Sequence, residues 1–285
     1  MKLATYRDGS RDGQLVVVSR DLALAHHASG IASRLQQLLD DWNFLSPQLE
    51  DLSATLNGGK ARHAFPFDQA RCMAPLPRAF QWALGRPDGA ALHTLQFASD
   101  ELLGAHEDAC LSEPAGAPGL QAGFAVLTGD IPRGASAAQA LERVRLVMLA
   151  HVWTLPGGAP AAGAFAPLAV TPDELGPAWR GGHLHLAIRQ EPLAPGGSQP
   201  PSPPTDFGRL LETLASVRNV RAGSIVGPTL APLATPAPVE RLAPAAAGEE
   251  GPLARSEAMG ADGLSVFGAL AQCLAGARAA GRASP

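Results

Sequence analysis

Aromatic side chains, cysteines and charge blocks are all scarce in this 285-residue sequence. Aromatics make up 5% of it, and much of the 46% hydrophobic fraction is Ala, which buries little surface. The core must therefore rest on Leu, Val and a few Phe and Trp. The three cysteines, Cys72, Cys110 and Cys273, lie far apart. An odd number without paired spacing argues against a disulfide framework and against a zinc site, and leaves buried or idle thiols as the expectation. No basic block stands out, and the net charge is −4, so nucleic acid and anionic membrane surfaces are not expected partners. The longest weakly polar run, 155–170, is broken by Pro156, Pro160 and Pro167, and cannot be a membrane helix. The opening MKLATYRDGSRDG has charges and no apolar stretch, so a secretory signal is not expected and a cytoplasmic location is. Glycine (31) and proline (26) are in surplus, and their distribution marks loops more than wholesale disorder.

Periodicity supplies the elements. Leu3–Tyr6 and 15–18 read as strands joined by the turn Asp8-Gly9-Ser10. Ile31, Leu35, Leu38, Leu39 and Trp42 recur at helical spacing, and a second helix is expected over 47–56, before Asn57-Gly58-Gly59. His26 and His27 fall in the loop before the first helix, without a Cys or acidic partner at ligand spacing. The prolines of 65–82 predict an extended connector, and 85–119 gives only weak signals. Residues 124–130 read as a buried strand ending in a turn. Ser136 opens a predicted helix through Ala150, with Ala140, Val144, Val147 and Met148 on its apolar face and Arg143 and Arg145 turned away. A loop over 155–170 follows, then a short turn or helix over 173–179. A strand over 183–188 puts His183 and His185 on one face, where two imidazoles could ligate a metal but lack a third ligand nearby in sequence. A flexible loop over 193–204, a helix over 207–217 with Phe207, Leu210, Leu211 and Leu214 inward, and a turn feeding a strand near Gly227 come next. From 228 to 261 Ala, Pro and Gly dominate, and poor order is expected before a structured signal returns at 262–268. The chain shows no internal repeats.

Several of these phrases, in this order, resemble one family. MKLATY with the following Leu15-Val16-Val17-Val18 resembles the N-terminal domain of bacterial fumarylacetoacetase-like proteins, and 71–78 (RCMAPLPR) resembles the linker into their catalytic domain. Residues 124–130 (FAVLTGD) resemble the strand bearing their Glu-x-Glu metal ligands. Residues 145–149, 170–182 and 218–227 are similar to the segments that follow. The resemblance implies an α+β fold. A small N-terminal α/β module (1–70) is expected beside a β-roll-like fumarylacetoacetate hydrolase domain (71–285), degenerate, poorly ordered around 228–261 and incomplete at its C-terminal end. It also implies cleavage or rearrangement of β-dicarbonyl acids with Mg²⁺ or Ca²⁺, which take hard oxygen ligands and polarise carbonyl and enolate oxygens. A small organic acid as ligand and a homodimer are implied with it.

Carried over residue by residue, the family's ligand positions fall on Leu84, Gln121, Gly123 and Val152. Its catalytic Lys falls near Pro160, and its catalytic His has no counterpart in the shortened stretch 85–91. Thr229 matches the Thr of a Gly-Ser-Gly-Thr turn as a remnant. Leu, Gly and Val offer no lone pair, and one neutral amide cannot hold a hydrated dication. No metal and no cofactor are therefore expected, and the reading is a family member that has lost its chemistry, a pseudoenzyme. The alternative is an active hydrolase or isomerase of acylpyruvate-type acids, with altered, metal-free chemistry. An acidic cluster of Asp100, Glu101, Glu107 and Asp108 around His106 suggests ligation by spacing alone, but as a solvated loop it needs no such role.

Overall fold

The computed structural model describes residues 1–111, 119–155, 159–191, 204–230 and 253–276. The chain opens with two strands, β1 (Lys2–Tyr6) and β2 (Gln14–Val18), and a third, β3 (Leu24–His27). The turn between the first two is held by Asp8, whose Oδ1 accepts from the Ser10 amide at 2.9 Å. His26 and His27, expected in a loop, belong to β3. Helices α1 (Leu35–Asp40) and α2 (Trp42–Asn57) follow. The first starts later than the spacing of Ile31 suggested, and the second starts at Trp42, because the chain turns from one helix into the other at Asp41. The connector carries β4 (Phe65–Pro66) and a short 3-10 turn at Gln69–Arg71.

The region of weak signal holds a hairpin, β5 (Gln81–Asp88) and β6 (Ala91–Phe97), turned at Gly89, and then β7 (Ala109–Leu111). Strand β8 spans Gly119–Thr128. The helix predicted from Ser136 to Ala150 is overturned beyond its first turns. The Ser136–Gln139 capping box starts α3 (Ala137–Leu141), but β9 (Val144–Thr154) takes over at once. The run VRLVMLAHVW is buried on both faces of a sheet, which erases the period-2 alternation and lets Val144 and Val147 mimic helical spacing. The stretch predicted as loop instead forms β10 (Pro160–Phe165) and β11 (Leu168–Val170). Pro160 sits at the first position of its strand, where its missing N–H does least harm.

A 3-10 segment (Pro172–Ala178) leads to β12 (Trp179–Arg180) and β13 (His183–Leu184), then β14 (Ile188–Glu191), so the single strand expected over 183–188 is two short ones with different partners. Helix α4 (Phe207–Val217) matches its prediction. Asp206 caps it by accepting from the Arg209 amide at 3.0 Å, and Phe207, Leu210, Leu211 and Leu214 are buried. The last strands are β15 (Ser224–Thr229), β16 (Leu253–Ala258) and β17 (Leu270–Gly276). Strand β16 lies inside the stretch expected to be poorly ordered. The rest of that expectation, over 231–252, and most of the loop predicted at 193–204 lie outside the described residues.

The strands build one large sheet in the order β4-β3-β2-β1-β11-β9-β8-β15-β5-β6, with β10 also paired to β9. The N-terminal strands thus join the rest through β1 against β11, Lys2 opposite Val170. A smaller sheet, β14-β16-β17-β7, lies against the face of β9 that carries His151 and Trp153. One apolar layer holds Val16, Val18, Val126, Val147 and the inward side chains of α4. The other holds Leu3, Leu15, Val17, Leu127, Leu146 and the inward leucines of α1 and α2. The result is a mixed α+β molecule dominated by strands, as the resemblance implied. Among the described residues, no helix is long and apolar enough to cross a membrane.

Candidate functional site

The expected ligand positions do come together. Strands β10, β9, β8, β15 and β5 are successive neighbours. Gln121 lies opposite Val152 and Gly123 opposite Ala150 across the β8–β9 pair, and Gly163 of β10 lies opposite Val152 on its other side. Thr229 pairs with Gly85, the residue after Leu84. Alternation along each strand places Gln121, Gly123, Ala150 and Val152 on a common face.

Around Leu84 and Val152 that face is apolar. Leu84 and Val152 are fully buried, in one cluster with Ala150, Trp82 and Phe165. Trp82 reaches across the strands: its indole Nε1 donates to the Gly227 carbonyl at 3.1 Å, and its ring lies edge-on to Phe165 at 6.1 Å between centroids. The far end of the indole presses on Gly163, where a Cβ would stand 2.5 Å from its tip. Only glycine fits there, and the space enclosed by β5, β15 and β10 is filled by an aromatic ring. Gln121 is half-buried, and Thr229 is buried with its amide donating to Thr205 Oγ1 at 2.9 Å. Pro160, near the expected lysine position, stands at the distant end of β10 opposite Thr154.

A divalent metal does not fit these residues. Leu84, Gly123 and Val152 have no donor atoms, and the space beside Gly163 is taken by carbon. Among the described residues, no group of three or more His, Cys, Asp or Glu side chains is placed to hold a metal ion.

The other sequence candidates are likewise placed. Asp100, Glu101, His106 and Asp108 are exposed, while Glu107 pairs with Arg7 and accepts from the Gly104 amide at 2.8 Å, a loop fastening. His183 and His185 have ring centroids 6.2 Å apart, and Asp206 approaches His183 Nε2 only to 4.0 Å while capping α4. His26 is held by the carbonyls of His27 and Arg62, and the His27 ring lies tilted against Phe65 at 4.7 Å between centroids. Cys72 is buried, and desolvation pushes its thiol well above the ordinary range.

The sequence reading missed a polar cluster on the opposite face of β9. Gln272 Nε2 donates to the Glu107 carbonyl at 2.8 Å, which leaves its Oε1 as acceptor for Trp153 Nε1 at 2.9 Å and for His151 Nδ1 at 3.2 Å. His151 Nε2 then accepts from Ser256 Oγ at 2.7 Å. His151 is wholly buried, and desolvation lowers its pKa to about 4, so it is neutral. The signal for Trp82 was present in the phrase Gln81-Trp82-Ala83-Leu84, since residues two apart in a strand share a face. Nothing in the sequence could pair His151 with Gln272, because their contact spans two sheets.

Residues 1–78 match the family model described as fumarylacetoacetase N-terminal domain 2. No curated protein matches the chain. Among solved structures, maleylpyruvate hydrolase from Sphingobium sp. SYK-6 is similar at 14% identity and a TM-score of 0.68, over 97% of this chain and 100% of that one. The same hydrolase is also known in complex with manganese(II) ion and pyruvate. A probable 2-hydroxyhepta-2,4-diene-1,7-dioate isomerase from Mycobacterium abscessus is similar at 17% identity and 0.67, over 97% and 99%. Fumarylacetoacetate hydrolase from Exiguobacterium antarcticum is similar at 14% and 0.68, over 97% and 99%. At these identities the likeness is one of fold.

Proposed function

We propose that this chain, which opens with a fumarylacetoacetase N-terminal domain and has the fold of fumarylacetoacetate hydrolases and related isomerases throughout, does not carry out their metal-dependent chemistry. The observation that supports this is the packed apolar cluster at two of the expected ligand positions: Leu84 and Val152 with Ala150 and Phe165 around the Trp82 indole, and Gly163 against its edge. Hydrolysis of a β-dicarbonyl acid needs a Lewis acid or an equivalent charge at the developing enolate. The side chains at Leu84, Gly123 and Val152 supply neither. The protein is accordingly read as a non-catalytic relative that retains the scaffold and acts by binding.

The test uses the full chain. Acylpyruvate decay is followed by ultraviolet absorbance with and without Mn²⁺ or Mg²⁺, and Tm is measured over the same metal series. A ligand that binds only the folded state must raise Tm by mass action. No metal-dependent decay and no chelator-reversible rise in Tm are expected. Robust turnover that needs Mn²⁺ or Mg²⁺ would overturn the reading.

A further inference from the structure

A second feature lies at the other end of β8 and β9. The register of this pair slips by one residue: Leu127 opposes Leu146, but Thr128 opposes Val144, so Arg145 is the extra residue of a bulge. Bulges re-aim the side chain they carry. Here the guanidinium is seated between two surfaces. On one side is the Trp42 ring, whose centroid is 5.4 Å from the guanidinium carbon. On the other is Gly129, where a Cβ would stand 2.9 Å from Nε and 3.3 Å from Nη2, so that an added side chain would push the guanidinium from its seat. Arg145 Nε is buried with no hydrogen-bond acceptor among the described residues, and no carboxylate forms an ion pair with Arg145 or with Arg143 among them. Arg143 is exposed two residues earlier, and its positive charge, after burial, lowers the pKa of Arg145. A cation that is ordered by stacking, desolvated along one edge and set beside a second cation is a standing demand for negative charge.

We infer that Arg145, held between Trp42 and Gly129, forms with Arg143 a binding site for a doubly charged oxyanion, the phosphate or dicarboxylate group of a small molecule. The planar fork of Arg145 presents paired donors to two oxygens, the geometry that both groups share, and Arg143 supplies the second charge from the solvent side. The bulge and the glycine fix the fork before the ligand arrives, which reduces the ordering cost of binding. This site is separate from the apolar cluster at Trp82, and it stands whether or not the chain turns over a substrate.

Inorganic phosphate and malonate serve as probes, with chloride at matched ionic strength as the reference. Binding is measured by calorimetry and by the change in tryptophan emission, which the Trp42→Phe variant assigns to Trp42. At least one dianion is expected to bind at millimolar concentration, and which of the two binds more tightly names the source of the group. Arg143→Gln, at an exposed position with no packing role, should weaken binding roughly tenfold, as should Arg145→Lys, which keeps the charge but loses the fork. Gly129→Ala should weaken it by unseating the guanidinium. Absence of binding by both dianions in the wild type would overturn the inference. So would binding that Arg143→Gln and Arg145→Lys leave unchanged.

Discussion

His151 should make the stability of this protein fall between neutral and mildly acidic pH, and the size of the effect follows from where the side chain sits. Its ring is fully buried, its two nitrogens are engaged by Ser256 and Gln272, and the groups that face it from β9, β16 and β17 are all uncharged. Burial therefore lowers its pKa from 6.5 to about 4 in the folded protein. In the unfolded chain the ordinary value returns. Between those two values the unfolded state binds a proton that the folded state refuses, so stability is whole above the unfolded pKa and drains away as pH falls toward the folded one. A gap of roughly 2.5 pH units corresponds to about 3 kcal/mol. His151→Gln keeps a donor and an acceptor but does not titrate. Urea unfolding of both proteins from pH 7 to pH 4 isolates the histidine, because every carboxylate contributes equally to both curves. The wild type is expected to lose about 3 kcal/mol more than the variant across that range. Parallel curves would show that His151 is not buried as a neutral base, and the reasoning would fail.

Trp82→Ala should cost about 3–5 kcal/mol in urea unfolding, since it removes a fully buried indole and strands the Gly227 carbonyl. A loss below about 1 kcal/mol would mean that the ring does not fill the space between β5 and β10. Of the three thiols, Cys110 should react first with a thiol reagent in the folded protein and Cys72 only on unfolding, because Cys110 is exposed while Cys72 is buried with a raised pKa. Fast labelling of Cys72 under native conditions would contradict its burial.

How much of this could be read from the residues alone depended on how local the cause was. The hairpin of β1 and β2 and helix α4 were legible because turn chemistry and apolar spacing agreed with the final structure. Helix α3 was legible only at its start: the Ser136 cap is a local signal, but the switch to strand at Val144 is made by burial on both faces of a sheet whose neighbours lie far away in sequence. Strand β10 hid behind small residues because its Gly163 exists to receive Trp82, a contact between strands about eighty residues apart in sequence, at a spacing no periodicity reports. The juxtaposition of Leu84, Gln121, Gly123 and Val152 was anticipated through resemblance alone. That Trp82 completes the cluster, and that His151 joins Ser256 and Gln272, required the fold.

The two faces of β9 show how the polarity of the molecule is distributed. Side chains alternate along a strand, so Ala150 and Val152 face the Trp82 cluster while His151 and Trp153 face the small sheet. The ring nitrogens of His151 and Trp153 thus lie on the side away from the expected ligand positions. There they satisfy one another: Ser256 donates to His151, His151 and Trp153 donate to Gln272, and Gln272 donates to Glu107. A closed network of this kind rigidifies the packing of one sheet on another. A carboxylate introduced at Val152 could not use the donors of that network, since the strand itself stands between them. His151 and Trp153 hold the sheets together on one face of β9, while at the strand's opposite end the bulge at Arg145 offers a paired cation to solvent.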